Sequence, residues 1–148
     1  MEDFYGGVRS GEMIYTSYFA AAKRLDKDVS PIAICRTVPK GYKGEQYIAL
    51  APSYDILREY KETGDRENFT QRFYSEILDK LDPFEVIKHL NSLASPWVRD
   101  RTFEMGEAVA FNPLYHVALL CYEKSYDFCH RHLVAEWLRS HWIECSEL

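Results

Sequence analysis

The residue types best suited to chemistry lie together late in the chain, where Cys129, His130, Arg131 and His132 follow one another. Apolar residues recur at helical spacing after them, so these four residues are predicted to open the last helix. A helix N-terminus presents unpaired backbone N–H groups and about half a positive charge, which attract an anion and stabilise a thiolate. The segment therefore predicts a small-anion site that contains a reactive thiol.

Cys129 is the candidate nucleophile of this site, because cysteines at helix starts beside cationic groups have a lowered pKa. His130 or His132 would act as its base or its charge partner, and the spacing alone leaves both histidines open. Glu123, which ends the preceding apolar run, would orient an imidazole or act as an acid or base itself. The structural alternative is that Cys129 is a small residue packed beneath the last helix.

The elements that would position these residues alternate between strands and helices. Apolar runs rich in β-forming residues predict strands at residues 13–16, 31–36 and 117–123. Helix N-caps are predicted at Ser17, Ser53, Asp65, Asp82 and Asp127, with Ser125 as the alternative to Asp127. Such alternation is typical of a parallel sheet wrapped by helices. The expected fold is α/β, with a small Rossmann-like parallel sheet flanked by helices in one domain that spans residues 1–148.

The carboxyl ends of parallel strands meet at one edge of a sheet, where ligands bind. Ser17 follows the first predicted strand, Arg36 ends the second and Glu123 ends the third. All three are therefore expected around one cavity with the turn at residues 129–131. In this arrangement Ser17, Arg36 and Arg131 are predicted to hold the anion, with Arg131 facing a partly open site.

Composition limits the class of protein. The chain has 148 residues, 47% of them hydrophobic and 28% charged, which is typical of a compact globular protein. A net charge of −5 argues against a surface that neutralises a nucleic-acid backbone. The N-terminal segment MEDFYGGVRSGE has no apolar stretch of the length of a signal peptide or a membrane span, so a cytoplasmic protein is expected. The expected partner is a small anionic molecule.

The four cysteines lack the close, repeated spacing of a disulfide framework, so reduced thiols are expected. Cys35 and Cys121 lie in apolar runs and are predicted to be inert core thiols. Cys121, Cys129, His130 and His132 offer soft ligands, but their C-x7-C-H-x-H spacing is not a familiar zinc pattern, and a strand-buried Cys121 would be badly placed. No metal and no cofactor are predicted.

The segments around these residues resemble a known family. They are residues 119–138 (LLCYEKSYDFCHRHLVAEWL), 14–25 (IYTSYFAAAKRL), 33–44 (AICRTVPKGYKG) and 50–54 (LAPSY). Together they are similar to the domain-of-unknown-function 488 family of small cytoplasmic proteins, and the most specific part is the Cys-His-Arg triplet at residues 129–131. The resemblance implies a compact α/β fold and a shared site without an agreed activity. As the resemblance implies, one branch of the family lacks the cysteine and arginine of the triplet but keeps the histidine, which favours His130 over His132.

Three functions are compatible with these patterns. The leading hypothesis is an enzyme that acts on a small nucleotide-like or phosphorylated substrate, with Arg36 and Arg131 holding the anion and Cys129 with His130 performing the chemistry. The second is a non-catalytic module that binds an anion or nucleotide at the same edge. The third is an interaction domain that contacts a protein partner through the aromatic-rich segment at residues 95–115, which matches neither a helical nor a strand pattern.

Overall fold

The structure, a computed structural model, describes residues 4–5, 8–9, 14–102, 116–123 and 128–148. In chain order the strands are β1 (Phe4–Tyr5), β2 (Val8–Arg9), β3 (Ile14–Tyr18), β4 (Ser30–Ala33), β5 (Glu45–Gln46), β6 (Val117–Cys121) and β7 (Cys145–Glu147). Five of them form a sheet in the order β5-β4-β6-β3-β7, in which every neighbouring pair is parallel. The predicted α/β fold with a parallel sheet is therefore confirmed, and β6 is its central strand.

Four α-helices accompany the sheet in the described ranges. They are α1 (Tyr54–Thr63), α2 (Arg66–Glu76), α3 (Pro83–Thr102) and α4 (His130–Ser140). Short 3-10 helices span Phe19–Arg24, Ile48–Leu50 and Leu78–Lys80. Within the described ranges, no helix has both the length and the apolar character needed to cross a bilayer.

Three helices begin where local side-chain chemistry predicts. Ser53 caps α1 by accepting a backbone N–H at 3.2 Å, and Asp65 caps α2 in the same way at 3.0 Å. Asp82 accepts from the first turn of α3 at 2.9 Å. Gly64 ends α1 in the left-handed conformation, with φ of 68°, and separates α1 from α2. These caps satisfy N–H groups that a helix start otherwise leaves without partners.

The two faces of the sheet carry different clusters of buried side chains. Ile14 and Leu119 belong to the larger cluster, which includes buried residues from all four α-helices. Tyr15 and Leu120 belong to a smaller cluster, against which Phe19 of the 3-10 helix packs. Because successive strand residues point to opposite faces, the parity of a residue number decides which cluster its side chain joins. We call the side of the sheet with the larger cluster the α4 side. The side with the smaller cluster, where the 3-10 helix Phe19–Arg24 packs, is the 3-10 side.

Two predicted helix starts are wrong. Ser17 does not cap a helix, since it pairs with Leu120 inside β3, and the strand continues to Tyr18. The helix that follows is 3-10, and its N-cap is Tyr18. The N-cap of α4 is Cys129, in an extended conformation, whereas Asp127 lies outside the described residues. Pairing across the sheet outweighs the capping preference of Ser17.

The segment at residues 95–115 divides into two parts. Helix α3 continues through its first eight residues and ends at Thr102. Residues 103–115 lie outside the described part of the chain. The predicted interaction role of this segment stays a prediction.

Candidate functional site

The imidazole of His130 is held in one orientation by the backbone that directly follows β4. Its Nε2 lies 2.6 Å from the carbonyl oxygen of Ile34. A carbonyl only accepts, so Nε2 carries the proton that is donated. Nδ1 then faces the sulfur atoms of Cys121 at 3.3 Å and Cys129 at 3.9 Å. Neutral Nδ1 can accept a proton from either thiol, and protonated Nδ1 can donate to either thiolate.

The surroundings of Cys129 favour its thiolate. The neighbouring Cys121 thiol, the imidazole of His130 and the backbone N–H of Arg131 all lower the pKa of Cys129 far below its ordinary range, although burial opposes them. Cys121 is affected in the opposite direction, since burial and the nearby Cys129 raise the pKa of its thiol. The two shifts run in opposite directions, so the surroundings favour the thiolate on Cys129 and the protonated thiol on Cys121.

Two further titratable groups lie in the electrostatic field of Cys129. The pKa of Glu123 is raised by desolvation of the Glu123 carboxyl group and by the proximity of Cys129. Burial and Cys129 together raise the pKa of Cys35 to about 11. Glu123 is exposed, whereas Cys35 is buried and donates to the carbonyl of Thr37 at 3.0 Å. Glu123 is therefore placed to exchange protons between the cluster and solvent.

Arg131 occupies a buried position, which corrects the expectation of a partly open one. Its side chain has no exposed surface and is ion-paired with Glu147, through Nη2 at 2.8 Å and Nε at 3.2 Å. Burial alone would lower the pKa of Arg131, but the bonds to Glu147 outweigh it and raise that pKa. The third guanidinium nitrogen, Nη1, is buried and has no hydrogen-bond partner among the residues that the structure describes. Arg131 therefore stays charged and has one donor nitrogen that is not satisfied.

Ser17 points away from the cysteine and histidine cluster, and the side chain of Arg36 is held near the start of α1. Ser17 shares the parity of Tyr15 in β3, so its side chain points to the 3-10 side of the sheet, and within the described part of the chain its buried hydroxyl has no partner. The Nε of Arg36 donates to the carbonyl of Pro52 at 2.8 Å, and its guanidinium lies 5.1 Å from the ring centre of Tyr54. The structure thus brings Glu123, Cys129, His130 and Arg131 together and directs Ser17 to the opposite side of the sheet, while Arg36 is held by residues that precede and begin α1.

Cys121, expected to be an inert core thiol, is a member of the cluster. It is buried at the end of β6, and its side chain shares the α4 side of the sheet with Leu119. The sulfur atoms of Cys121 and Cys129 and a ring nitrogen of His130 all lie within 4.8 Å of one another. Soft metal ions use such ligands. The expectation that a strand-buried Cys121 is badly placed to bind a metal is therefore wrong. All four cysteines of the chain are buried thiols.

The residues that sequence reasoning missed are Thr16, Glu147 and the carbonyl of Ile34. Thr16 donates to Glu147 at 2.6 Å, and Glu147 in turn holds Arg131. Thr16 precedes the predicted Ser17 by one position, and the alternation of a strand is the signal that separates them. Glu147 comes from a three-residue strand, which is too short to show a pattern. A backbone carbonyl leaves no signal in the residue types.

A separate cavity of about 720 Å3 lies beside the 3-10 helix Phe19–Arg24. Its lining includes Lys23, Lys40, Lys43, Phe19 and Tyr42. None of the predicted site residues lines it. The cysteine and histidine cluster and this lysine-lined cavity are different features of the molecule.

Comparison with known proteins identifies no relative of this chain, so the geometry alone describes the site. No family model, no curated protein and no solved structure matches the chain. The resemblance to the domain-of-unknown-function 488 family accordingly stays a prediction.

Proposed function

We propose that the protein is an enzyme that acts on a small anionic substrate, nucleotide-like or phosphorylated, with Cys129 as nucleophile and His130 as its acid–base partner. The observation that carries the proposal is the position of the His130 imidazole, whose Nε2 is bound to Ile34 while Nδ1 faces the sulfur of Cys129. A nucleophile beside a base that a third group orients is the general pattern of covalent catalysis.

The geometry supports distinct roles for the three catalytic candidates. Cys129 attacks as a thiolate, which the start of α4 stabilises. His130 holds the proton of that thiol on Nδ1 and returns it to the group that leaves. Glu123, with its raised pKa and its exposure, supplies or removes a proton at the solvent side.

Anion recognition depends on the first turn of α4 and on Arg131. Backbone N–H groups at a helix start attract a phosphate, and α4 is eleven residues long. The buried, unpartnered Nη1 of Arg131 adds a second and independent reason to expect a ligand oxygen nearby. The exposed surface of Cys129 is 4%, which restricts the reacting group to a small one. Arg36, which donates to the carbonyl of Pro52 just before α1, has no assigned part in anion recognition.

The test compares two alkylating reagents of similar size and different charge. Iodoacetate is an anion and iodoacetamide is neutral, so an anion site beside Cys129 should favour iodoacetate more than a free cysteine does. Rates are measured for each cysteine by mass spectrometry after digestion. Inorganic phosphate should slow the reaction of Cys129 with both reagents, and added salt should reduce the preference.

Arg131→Lys is the matched variant, because it keeps the charge and loses the forked geometry. It should reduce the preference for iodoacetate while Cys129 still reacts with iodoacetamide. Phosphate protection of an unreactive Cys129 would favour the non-catalytic binding module instead. A Cys129 that shows neither a charge preference nor phosphate protection would overturn the anionic substrate.

A further inference from the structure

We propose that Cys121 is the resolving thiol of Cys129, so that hydroperoxides convert the two residues into a reversible disulfide. This inference shares the nucleophilic sulfur of Cys129 with the proposed function, but it requires no anionic substrate. It assigns a modification site and a class of reactant, small hydroperoxides, to residues that the anionic reaction alone does not explain.

The positions of the two sulfurs support direct bond formation. They lie within 4.8 Å of one another, and the ring of His130 contacts both. Cys121 ends the central strand and Cys129 begins α4, so eight positions separate them along the chain while the fold brings their side chains together. Bonded sulfurs lie about 2 Å apart, so the two side chains must move towards one another before the bond forms.

Cys121 helps to stabilise the Cys129 thiolate, but it forms no bond in the anionic reaction, and its position has a cost. A packed apolar residue at the end of β6 would avoid placing a second polarisable thiol beside a thiolate. The pair instead combines a thiolate with a protonated partner, which is the arrangement that a dithiol needs if one sulfur reacts first and the other follows.

The reaction balances with the groups present and one hydroperoxide. The Cys129 thiolate attacks the peroxide, the O–O bond breaks, and the leaving alkoxide takes the proton from Nδ1 of His130. This step oxidises Cys129 to a sulfenic acid and releases an alcohol, or water from hydrogen peroxide. Nδ1 then accepts the proton of Cys121, whose sulfur attacks Cys129. The S–S bond forms, and hydroxide leaves as water with that proton.

The outcome is protection of the nucleophile. A sulfenic acid without a thiol beside it is oxidised further to sulfinic acid, which is generally irreversible, whereas a disulfide returns to two thiols with a reductant. The burial of both sulfurs, 2% exposed for Cys121 and 4% for Cys129, limits the reactant to the smallest hydroperoxides. Hydrogen peroxide is therefore the probe.

The test treats the full chain with hydrogen peroxide, blocks remaining thiols and maps the products after trypsin digestion. Trypsin cuts after Arg101, Lys124 and Arg131, so a disulfide between the two cysteines joins residues 102–124 to residues 125–131. Dithiothreitol should separate these peptides again. In Cys121→Ala, Cys129 should instead accumulate as sulfinic acid, and in Cys129→Ala the oxidation of Cys121 should slow by about tenfold or more, because a protonated thiol is a poor nucleophile.

Cys145→Ala is the matched control, since Cys145 is also buried but lies in β7. It should leave the joined peptides unchanged. Sulfinic acid at Cys129 in the unmodified protein, or a disulfide that uses Cys35 instead of Cys121, would overturn the inference. So would the absence of any peroxide reaction at Cys129. A disulfide in a protein without a preference for iodoacetate would support this inference and contradict only the proposed substrate.

Discussion

Arg131 and Glu147 form an ion pair that joins the first turn of α4 to the edge strand β7. The guanidinium is fully buried and donates to both carboxylate oxygens, at 2.8 Å and 3.2 Å. Thr16 of β3 donates to the same carboxylate at 2.6 Å. The helix that carries Cys129 at its N-cap is thereby attached to two neighbouring strands of the sheet by charged hydrogen bonds, which are stronger than neutral ones.

Glu147→Gln should destabilise the protein by roughly 2 kcal/mol, because it leaves a buried guanidinium facing a neutral amide. The estimate is below the range for a fully buried pair, since Glu147 retains 23% exposure of its side chain. Denaturant unfolding followed by circular dichroism measures the change. Glu144→Gln, at an exposed position, is the control and should change the free energy of unfolding by less than about 0.5 kcal/mol. Equal effects of the two substitutions would contradict the role of the ion pair.

Thr16→Val and Ser17→Ala form a second matched pair in adjacent positions of β3. Thr16→Val removes a hydrogen bond to a charged group and should lower the free energy of unfolding by about 2 kcal/mol. Ser17→Ala removes a buried hydroxyl that has no partner, so stability should stay the same or rise slightly. Thermal or denaturant unfolding of both variants decides the matter. A larger loss from Ser17→Ala would mean that its hydroxyl has a partner.

The thiolate of Cys129 should be present at neutral and mildly acidic pH. Its pKa is lowered, so ionisation occurs below the range of an ordinary thiol, about 8.5. The pKa of Cys35 is about 11, so that thiol stays protonated until strongly alkaline pH. The difference in ultraviolet thiolate absorbance between the unmodified protein and Cys129→Ala, measured against pH, gives the titration. A midpoint at or above 8.5 would end the case for nucleophilic catalysis.

His130→Ala should move the titration of Cys129 to higher pH, because the imidazole stabilises the thiolate. It should also destabilise the fold by about 1 to 3 kcal/mol, since the carbonyl of Ile34 loses its partner in a buried position. His132→Ala is the comparison, and it should leave the Cys129 titration close to its original position. The opposite pattern would assign the role to His132, the alternative that the sequence leaves open.

The purified protein should contain no stoichiometric zinc, because both proposals need an unbound sulfur on Cys129. Elemental analysis tests this, with Cys121→Ala and Cys129→Ala alongside. Three converging ligands are also typical of catalytic zinc, so the measurement separates real alternatives. One equivalent of zinc that disappears in both variants would identify a metal centre and contradict the nucleophile and the resolving thiol together.

Much of the fold follows from local patterns in the sequence. The caps at Ser53, Asp65 and Asp82 depend on residues within one helical turn, so the residue types predict them directly. The run at residues 117–121 is apolar throughout because β6 is covered on both faces, and such a run predicts a central strand. Ser17 shows where local preference is insufficient, since pairing with β6 extends β3 across a favoured N-cap residue.

The candidate site was only partly predictable, because its geometry depends on which face of the sheet each side chain joins. The cluster of Cys129 and His130 at a helix start follows from residue types and periodicity. The inclusion of Cys121 and the divergence of Ser17 follow from strand parity, which a shift of one residue in the predicted strand would reverse. The sequence assigns Arg131 to a ligand because its partner, Glu147, lies in a strand too short to recognise.

The central position of β6 has a consequence for how the protein is made. Val117 pairs with both Ile14 and Ser30, so β6 joins strands that are distant in the chain. The entropy of closing such long loops must be overcome before these contacts can form, which delays the pairing during folding. The carbonyl of Ile34, Cys121 and His130 meet only after that step. A nascent or partly folded chain therefore carries four ordinary thiols, and the reactive sulfur appears only when folding is complete.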